Sequence, residues 1–188
     1  SVMSGYQQDI QDKILSTNAH LVIQKYGIDF TEYEKIIESG LSVEGVKTAA
    51  PFTFTEAMVS TGSKGLGILV KGIDPARSGR VTDIETNLCK SVDGEGRCVR
   101  YAPGTVPQGA LVDLLDETDG LAQVVVGLEL FRKLGQPLGS IVSVTTPVGI
   151  AGARGNAPRR LHFRLGGVFE SGMYEFDSRL LFAALESG

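Results

Sequence analysis

The sequence predicts a mixed α+β domain in which short strands dominate, and three observations carry that expectation. At 188 residues the chain is only somewhat longer than the roughly 150 of an average domain, which suits one compact domain or two small lobes sharing a core. Apolar residues make up 42% and charged residues 21%, enough for a packed interior and too little charge for a disordered chain. The 24 glycines and 7 prolines, with no tryptophan, mark many turns and favour short strands over a helical bundle.

The elements follow in order from spacing. Tyr6, Ile10 and Ile14 fall four apart on a polar background, a narrow helical stripe over residues 6–17. His20 to Lys25 is short and β-branched like a strand. Thr31 with Glu34 forms a capping-box pattern before Ile36 and Ile37, and Gly40 stands where a glycine stop belongs, so a helix is expected over 31–39. Two strands follow, Val46 to Thr61 broken at Pro51 and Leu66 to Ile73, joined through Gly62-Ser63-Lys64-Gly65. The texture changes after Asp74-Pro75, and residues 79–110 are polar, cysteine-bearing and rich in turn formers. Leu121 to Val126 reads as a buried strand leading into a helix whose face is Leu128, Phe131 and Leu134. Ile141 to Thr146 and Arg160 to Phe169 read as two strands able to pair. Between them lies a glycine-rich excursion, residues 147–158. No internal repeat is evident.

Several function classes lose support on composition and spacing. A net charge of −4, from 18 basic and 22 acidic residues, gives no footprint for nucleic acid. No run of 18 apolar residues exists, so nothing in the sequence reads as a transmembrane helix. The opening Ser1-Val2-Met3-Ser4 has neither an initiator methionine nor a signal-peptide pattern and reads as the start of a piece cut from a longer protein. His20 and His162 fall in separate strand-like runs with no orienting partner nearby in sequence. Cys89 and Cys98 lack the two-residue spacing of zinc knuckles. Asp113, Asp116, Glu117 and Asp119 lack the alternation of a calcium loop and read as a solvated acidic turn. Gly149, Gly152 and Gly155 follow a strand but precede another strand, so no helix N-terminus is there to cradle phosphate, and Lys64 lacks the spacing of a Walker loop. No cofactor, metal or catalytic residue is expected.

Two features remain. The segment between Cys89 and Cys98 contains Asp93-Gly94-Glu95-Gly96, a turn able to bring the sulfurs together; the pair is either a loop disulfide, implying an oxidising compartment, or two buried thiols. The excursion 147–158 carries Val148 and Ile150 with Arg154, followed by Pro158, Arg159 and Arg160, and no acidic residue. It is either a disordered tip or a partner-binding element.

Several blocks in order resemble a known family: the opening Ser1 to Leu15, Gly72-Ile73-Asp74-Pro75, Gly127-Leu128-Glu129-Leu130, and Gly167-Val168-Phe169-Glu170-Ser171-Gly172-Met173-Tyr174-Glu175-Phe176-Asp177. They are similar to the periplasmic domain of lipoprotein-releasing ABC permeases of the LolC and LolE type, within the wider MacB-like permeases. The likeness covers nearly all of the chain except about 79–118. It implies a porter-like α/β lobe, residues 1–75 and 165–188, incomplete at its C-terminal end, with an inserted β-rich lobe, residues 76–164, bearing an arm at 147–158. It implies mechanical work without chemistry in this domain, in the periplasm at the bacterial inner membrane. A separate cytoplasmic ATPase would hydrolyse ATP, a second permease subunit would complete the membrane part, and lipoproteins would pass to a soluble carrier of the LolA type. The arm, Pro147 to Pro158 with Arg159 and Arg160 at its base, matches the hairpin that recruits the carrier. The competing readings are an efflux or mechanotransmission permease of the MacB type and a free-standing periplasmic enzyme built around His20 or His162.

Overall fold

The computed structural model describes residues 19, 21–24, 32–62, 64–82, 84–107, 109–146, 151–152, 155–156 and 158–185. The helix expected at 6–17 lies outside them, as do His20, Thr31 and Ser63. Residues 21–24 carry no regular structure, and Leu21 and Ile23 are exposed, so no strand forms there.

Helix α1, Tyr33–Leu41, runs through Gly40 instead of stopping at it. It ends where the Ser42 amide donates to the Glu38 carbonyl (3.2 Å) and the Ser42 hydroxyl to the Ser39 carbonyl (2.7 Å). None of its residues is buried. A charged contact ties it to the rest: Arg77 Nη1 meets Glu34 Oε1 at 2.9 Å. That carboxylate raises the guanidinium above its ordinary value. Arg77 lies in the single-turn α2, Pro75–Ser78, whose first amides, Ala76 and Arg77, donate to the Asp74 carboxylate at 3.0 and 3.2 Å. Asp74-Pro75 is thus a helix cap with proline at the first position, where no amide is missed.

The body of the molecule is a closed sheet. Strands β1 (Phe52–Thr61) and β2 (Lys64–Ile73) form an antiparallel hairpin from Phe52↔Ile73 to Thr61↔Lys64, turning at Gly62 with φ +58°. Pro51 sets where β1 begins, because it cannot donate to a ladder. Small paired strands β3 (Cys89–Val92) and β4 (Cys98–Arg100) follow a 3-10 turn at Glu85–Asn87, and then α3, Ala110–Leu115, with its buried Leu111 and Leu115. That helix was not expected from the acidic run. The short β5, Glu117–Thr118, pairs with the start of β6, Leu121–Gly127. Helix α4, Leu128–Leu134, comes directly off β6, and β7 is Ile141–Thr146. Two-residue strands β8 (Ala151–Gly152) and β9 (Gly155–Asn156) precede β10, Arg159–Phe169, then α5, Tyr174–Asp177, and β11, Leu180–Ala184.

Pairing runs β10-β7-β1-β2-β11-β6 and returns to β10 through the parallel contact of β6 with β10, from Arg164↔Gln123 to Phe169↔Gly127. The circuit makes a six-stranded barrel, an arrangement that leaves no long edge open to another sheet. Alternate residues face opposite sides of a strand. One set, including Val59, Ile68, Val124, Val126, Val142, Val144, Phe163, Leu165, Leu181 and Ala183, packs together inside with Leu130 and Leu134 of α4. The other, including Leu69, Ile73, Val125, Leu180 and Phe182, packs outside beneath Leu111 and Leu115 of α3 and Phe176 of α5.

The fold is therefore mixed α/β and rich in sheet, as expected. The structure pairs strands across both boundaries drawn from the sequence: β1 with β7, at Met58↔Thr145, and β6 with β11, at Val126↔Leu181. Residues 52–184 thus contribute to one barrel, and α1 with its flanking chain lies before it.

Candidate functional site

The excursion 147–158 lies between β7 and β10. The ladder runs from Arg164↔Ile141 to Arg159↔Thr146, and β8 pairs with β9 further out at Ala151↔Asn156 and Gly152↔Gly155. Pro147, Val148, Ile150 and Arg154 lie outside the described residues. Pro158, Arg159 and Arg160 at the base are exposed.

The outward side chains of β1, β7 and β10 meet in register. Met58, Thr145 and Arg160 form one row; Ser60, Ser143 and His162 form the next; Ile141 faces Arg164 in the third. Met58 and Ile141 are each 54% exposed. Ser143 Oγ lies 3.0 Å from His162 Nδ1. Among the described residues no carboxylate hydrogen-bonds to this pair, so the orienting acid of a nucleophilic triad is not in place. Arg164, also on this wall, donates to the Gly139 carbonyl (2.9 Å) and meets Asp119 at 3.4 Å.

Cys89 and Cys98 are joined in a disulfide, with Sγ atoms 2.02 Å and Cα atoms 5.3 Å apart. Asp93 builds the turn between them. Its Oδ1 accepts from the Glu95 and Arg97 amides at 2.9 and 2.8 Å, and its Oδ2 meets Arg97 Nε at 2.9 Å. The Arg97 amide and guanidinium hold its carboxyl below the ordinary carboxylate value. Arg132 of α4 donates to the Gly96 carbonyl (2.8 Å), and Arg100 bonds the Glu170 carboxylate and carbonyl, which fastens the hairpin to the barrel.

The acidic residues do not converge. Asp116 accepts from the Glu117 amide and Asp119 pairs with Arg164; among the described residues no three His, Cys, Asp or Glu are placed to hold a metal ion. The glycine-rich block 167–177 has a structural part. The buried Asp177 carboxylate accepts from the Ser171 amide and hydroxyl, both at 2.8 Å, and from the Gly172 amide at 3.2 Å. A Cβ at Gly127 would strike the Asp177 backbone, so that glycine lets β6 and α5 touch.

One buried group escaped the sequence reading. Lys71, 6% exposed, puts its ammonium 5.3, 5.5 and 5.9 Å from the ring centres of Phe52, Phe54 and Phe182. Burial pushes its pKa down from 10.5 to about 8. The alternation Leu69-Lys71-Ile73 on an otherwise apolar strand face was the signal that could have found it.

No family model matches the chain. Relatives that match include two transmembrane proteins of a lipoprotein-releasing system: LolC of Neisseria meningitidis serogroup B, 25% identical over 180 residues covering 96% of this chain and 38% of that protein, and LolC of Xylella fastidiosa, strain Temecula1, 26% identical over 193 residues covering 99% and 40%. The chain spans about two fifths of the length of these curated relatives. Among solved structures, the extracellular domain of the noncanonic ABC-type transporter YknZ from Gram-positive bacteria matches with a TM-score of 0.47 and 17% identity, covering 81% of this chain and 62% of that one. The likeness to LolC-type proteins seen in the sequence blocks is borne out along nearly the whole chain.

Proposed function

We propose that the chain is the periplasmic domain of a transmembrane permease subunit of an ABC transporter that releases lipoproteins from the inner membrane and passes them to a soluble carrier of the LolA type. The observation that carries the reading is the match to LolC proteins over 96–99% of the chain. ATP hydrolysis belongs to a separate cytoplasmic subunit, a second permease subunit completes the assembly, and this chain works by binding, with no catalytic residue, metal or cofactor. The porter-like lobe is residues 1–75 and 165–188 and the inserted β-rich lobe residues 76–164, and the two share the barrel, to which β1, β2 and β11 come from the first and β6 and β7 from the second.

The arm recruits the carrier. A protein that receives acylated cargo exposes an apolar mouth, which Val148 and Ile150 would enter while Arg154, Arg159 and Arg160 meet acidic groups at its rim. Apolar anchors then set the dissociation rate, and the charges steer encounter. Titration calorimetry of the chain with a purified LolA-type carrier tests this, with micromolar binding on the order expected for a hand-off. Val148→Ser with Ile150→Ser abolishes it; Arg159→Glu with Arg160→Glu weakens it more at low salt than at high salt. Undiminished binding by the Val148/Ile150 double variant removes the arm from this role and returns the efflux reading.

A further inference from the structure

The chain holds two Asp-Gly dipeptides, Asp93-Gly94 and Asp119-Gly120, each in a turn between paired strands. An aspartyl carboxyl followed by glycine is open to attack by the next amide nitrogen, because glycine places no side chain in the path. A Cβ at either glycine would meet nothing within 4 Å, so crowding does not separate the two turns. The bonds on the aspartates do. The Asp93 side chain is 30% exposed; its Oδ1 accepts from the Glu95 and Arg97 amides, and its Oδ2 is paired with Arg97 Nε at 2.9 Å. Its own amide donates to the Arg97 carbonyl (3.0 Å), and its carbonyl accepts from the Gly96 amide (2.9 Å). Asp119 lies in the two-residue turn between Thr118 and Leu121, its side chain 80% exposed and its Oδ2 3.4 Å from Arg164 Nη2. With φ +53° it is the one non-glycine in the left-handed region among the described residues, a conformation that costs an L residue.

We propose that Asp119-Gly120 is a site of spontaneous isomerisation to isoaspartate, and that its hydrogen bonds protect Asp93-Gly94 from the same change. The Gly120 amide nitrogen attacks Asp119 Cγ; an N–Cγ bond forms, a Cγ–O bond breaks, and the oxygen leaves as water with the amide proton. Water then adds to the main-chain carbonyl carbon of Asp119 in the succinimide and breaks its bond to nitrogen. That carbon becomes a free carboxylate, and the chain runs on through Cβ and Cγ. One water is lost and one regained, so no other reactant is needed. For Asp119 the approach gives up a single contact on an exposed side chain, whereas for Asp93 it breaks the bonds to both amides and to the guanidinium. Arg97 also holds the Asp93 carboxyl below its ordinary value, which leaves less of the protonated form that loses water. The extra main-chain carbon relieves the left-handed turn and withdraws the carboxylate from Arg164, which keeps its bond to the Gly139 carbonyl. Gln123 still bonds Thr118 Oγ1 (2.9 Å), so the change stays within the turn. The site does not depend on carrier recruitment.

The test incubates the 188-residue chain folded and in urea. Isoaspartate is counted by enzymatic transfer of a labelled methyl group from S-adenosylmethionine to its free carboxylate, and located by electron-transfer fragmentation of the peptides. In urea both dipeptides should convert at similar rates. In the folded chain, residues 119–120 should convert roughly tenfold faster than 93–94 or more, the factor expected where one charge-assisted hydrogen bond must break first. Arg97→Ala, a change at an exposed side chain, should speed conversion at 93–94 about threefold, as for one exposed ion pair, and leave 119–120 unchanged. Asp119→Glu keeps the charge but cannot close the succinimide ring, and should remove the label from that turn. Equal rates at the two turns of the folded chain overturn the proposal. So does conversion of both in urea with none at 119–120 in the folded chain, which would mean that the β5–β6 turn holds Asp119 as firmly as the disulfide hairpin holds Asp93.

Discussion

On β2, β6 and β11 the outward side chains are Leu69, Ile73, Val125, Leu180 and Phe182, all buried beneath α3 and α5. Where β1, β7 and β10 pair with one another they are Met58, Ser60, Ile141, Ser143, Thr145, Arg160 and His162, partly or fully open to water, whereas Phe52, Phe54 and Phe169 at the other ends of β1 and β10 join the covered group. The inner faces of both groups share one core, so barrel closure does not explain the contrast. The connections do. The chain between β2 and β6 lays a disulfide hairpin and α3 over one flank, and α5 sits between β10 and β11. The β1–β2 and β7–β10 connections are instead direct links between paired strands. A surface apolar residue with nothing over it contributes little to stability, and so the bare flank is free to vary or to bind.

The contrast is broken most directly on the covered side. Leu111 on α3 is fully buried against the outer face of the sheet. Leu111→Ala should cost about 2–5 kcal/mol, the range for a truncated core leucine that leaves a cavity. Urea denaturation of parent and variant measures it. A loss below 1 kcal/mol would mean that α3 adds no effective cover and that the two flanks differ only in appearance.

Lys71 sharpens the comparison because it is a charge within the covered flank. Its folded pKa of about 8 lies below the 10.5 of the free side chain, so between those values the unfolded chain holds more protons and stability rises with pH. The penalty is complete below about pH 8 and gone above 10.5. Lys71→Met, which keeps the stem among Phe52, Phe54 and Phe182, should stabilise the fold by on the order of 2–3 kcal/mol at pH 7. The difference from the parent should shrink through pH 8–10.5. A variant less stable than the parent at pH 7 would show that ring contacts outweigh desolvation.

These two flanks were unequally legible in the sequence. Alternation exposed β2, β7, β10 and their hairpin partners, and the run Leu121–Val126 declared itself as buried. Two things were hidden. Barrel closure depends on a parallel contact between β6 and β10, more than 30 positions apart, and no local pattern encodes it. Helix α3 looked like an acidic turn because Asp113, Asp116 and Glu117 surround it, while its buried stripe is only Ala110, Leu111 and Leu115. The change in texture after residue 75 falls where the chain leaves the β1–β2 hairpin for the covering layer of the barrel. Of the candidate site, the pairing of β7 with β10 and the basic pair Arg159 and Arg160 were readable; the rows formed with Met58, Ser60 and Ser143 needed the register. Asp177 belonged to the most specific resemblance block, and the structure gives it a loop-holding part.

The disulfide tests how the covering layer is fastened. It closes a loop of about ten residues, for which the chain-entropy model gives roughly 2–3 kcal/mol. Reduction should lower the unfolding midpoint accordingly, while hydrogen exchange in β1 and β7 changes less than in α3 and β3. Uniform loss of protection around the barrel would show that the hairpin supports both flanks alike.

The smallest effects belong to the bare flank, and there the comparison is most exposed to failure. Met58 and Ile141 are each 54% open to water, so truncation removes little buried area; each change to Ala should alter stability by less than about 0.5 kcal/mol. Ser143→Ala removes the contact at 3.0 Å to His162 and should likewise stay small, because both partners can turn to solvent. The triple variant is the stricter measurement. If the three changes are independent, their sum stays under about 1.5 kcal/mol, and any excess would reveal coupling along the wall. A loss comparable with that of Leu111→Ala would mean that the open rows support the barrel as much as the covered flank does.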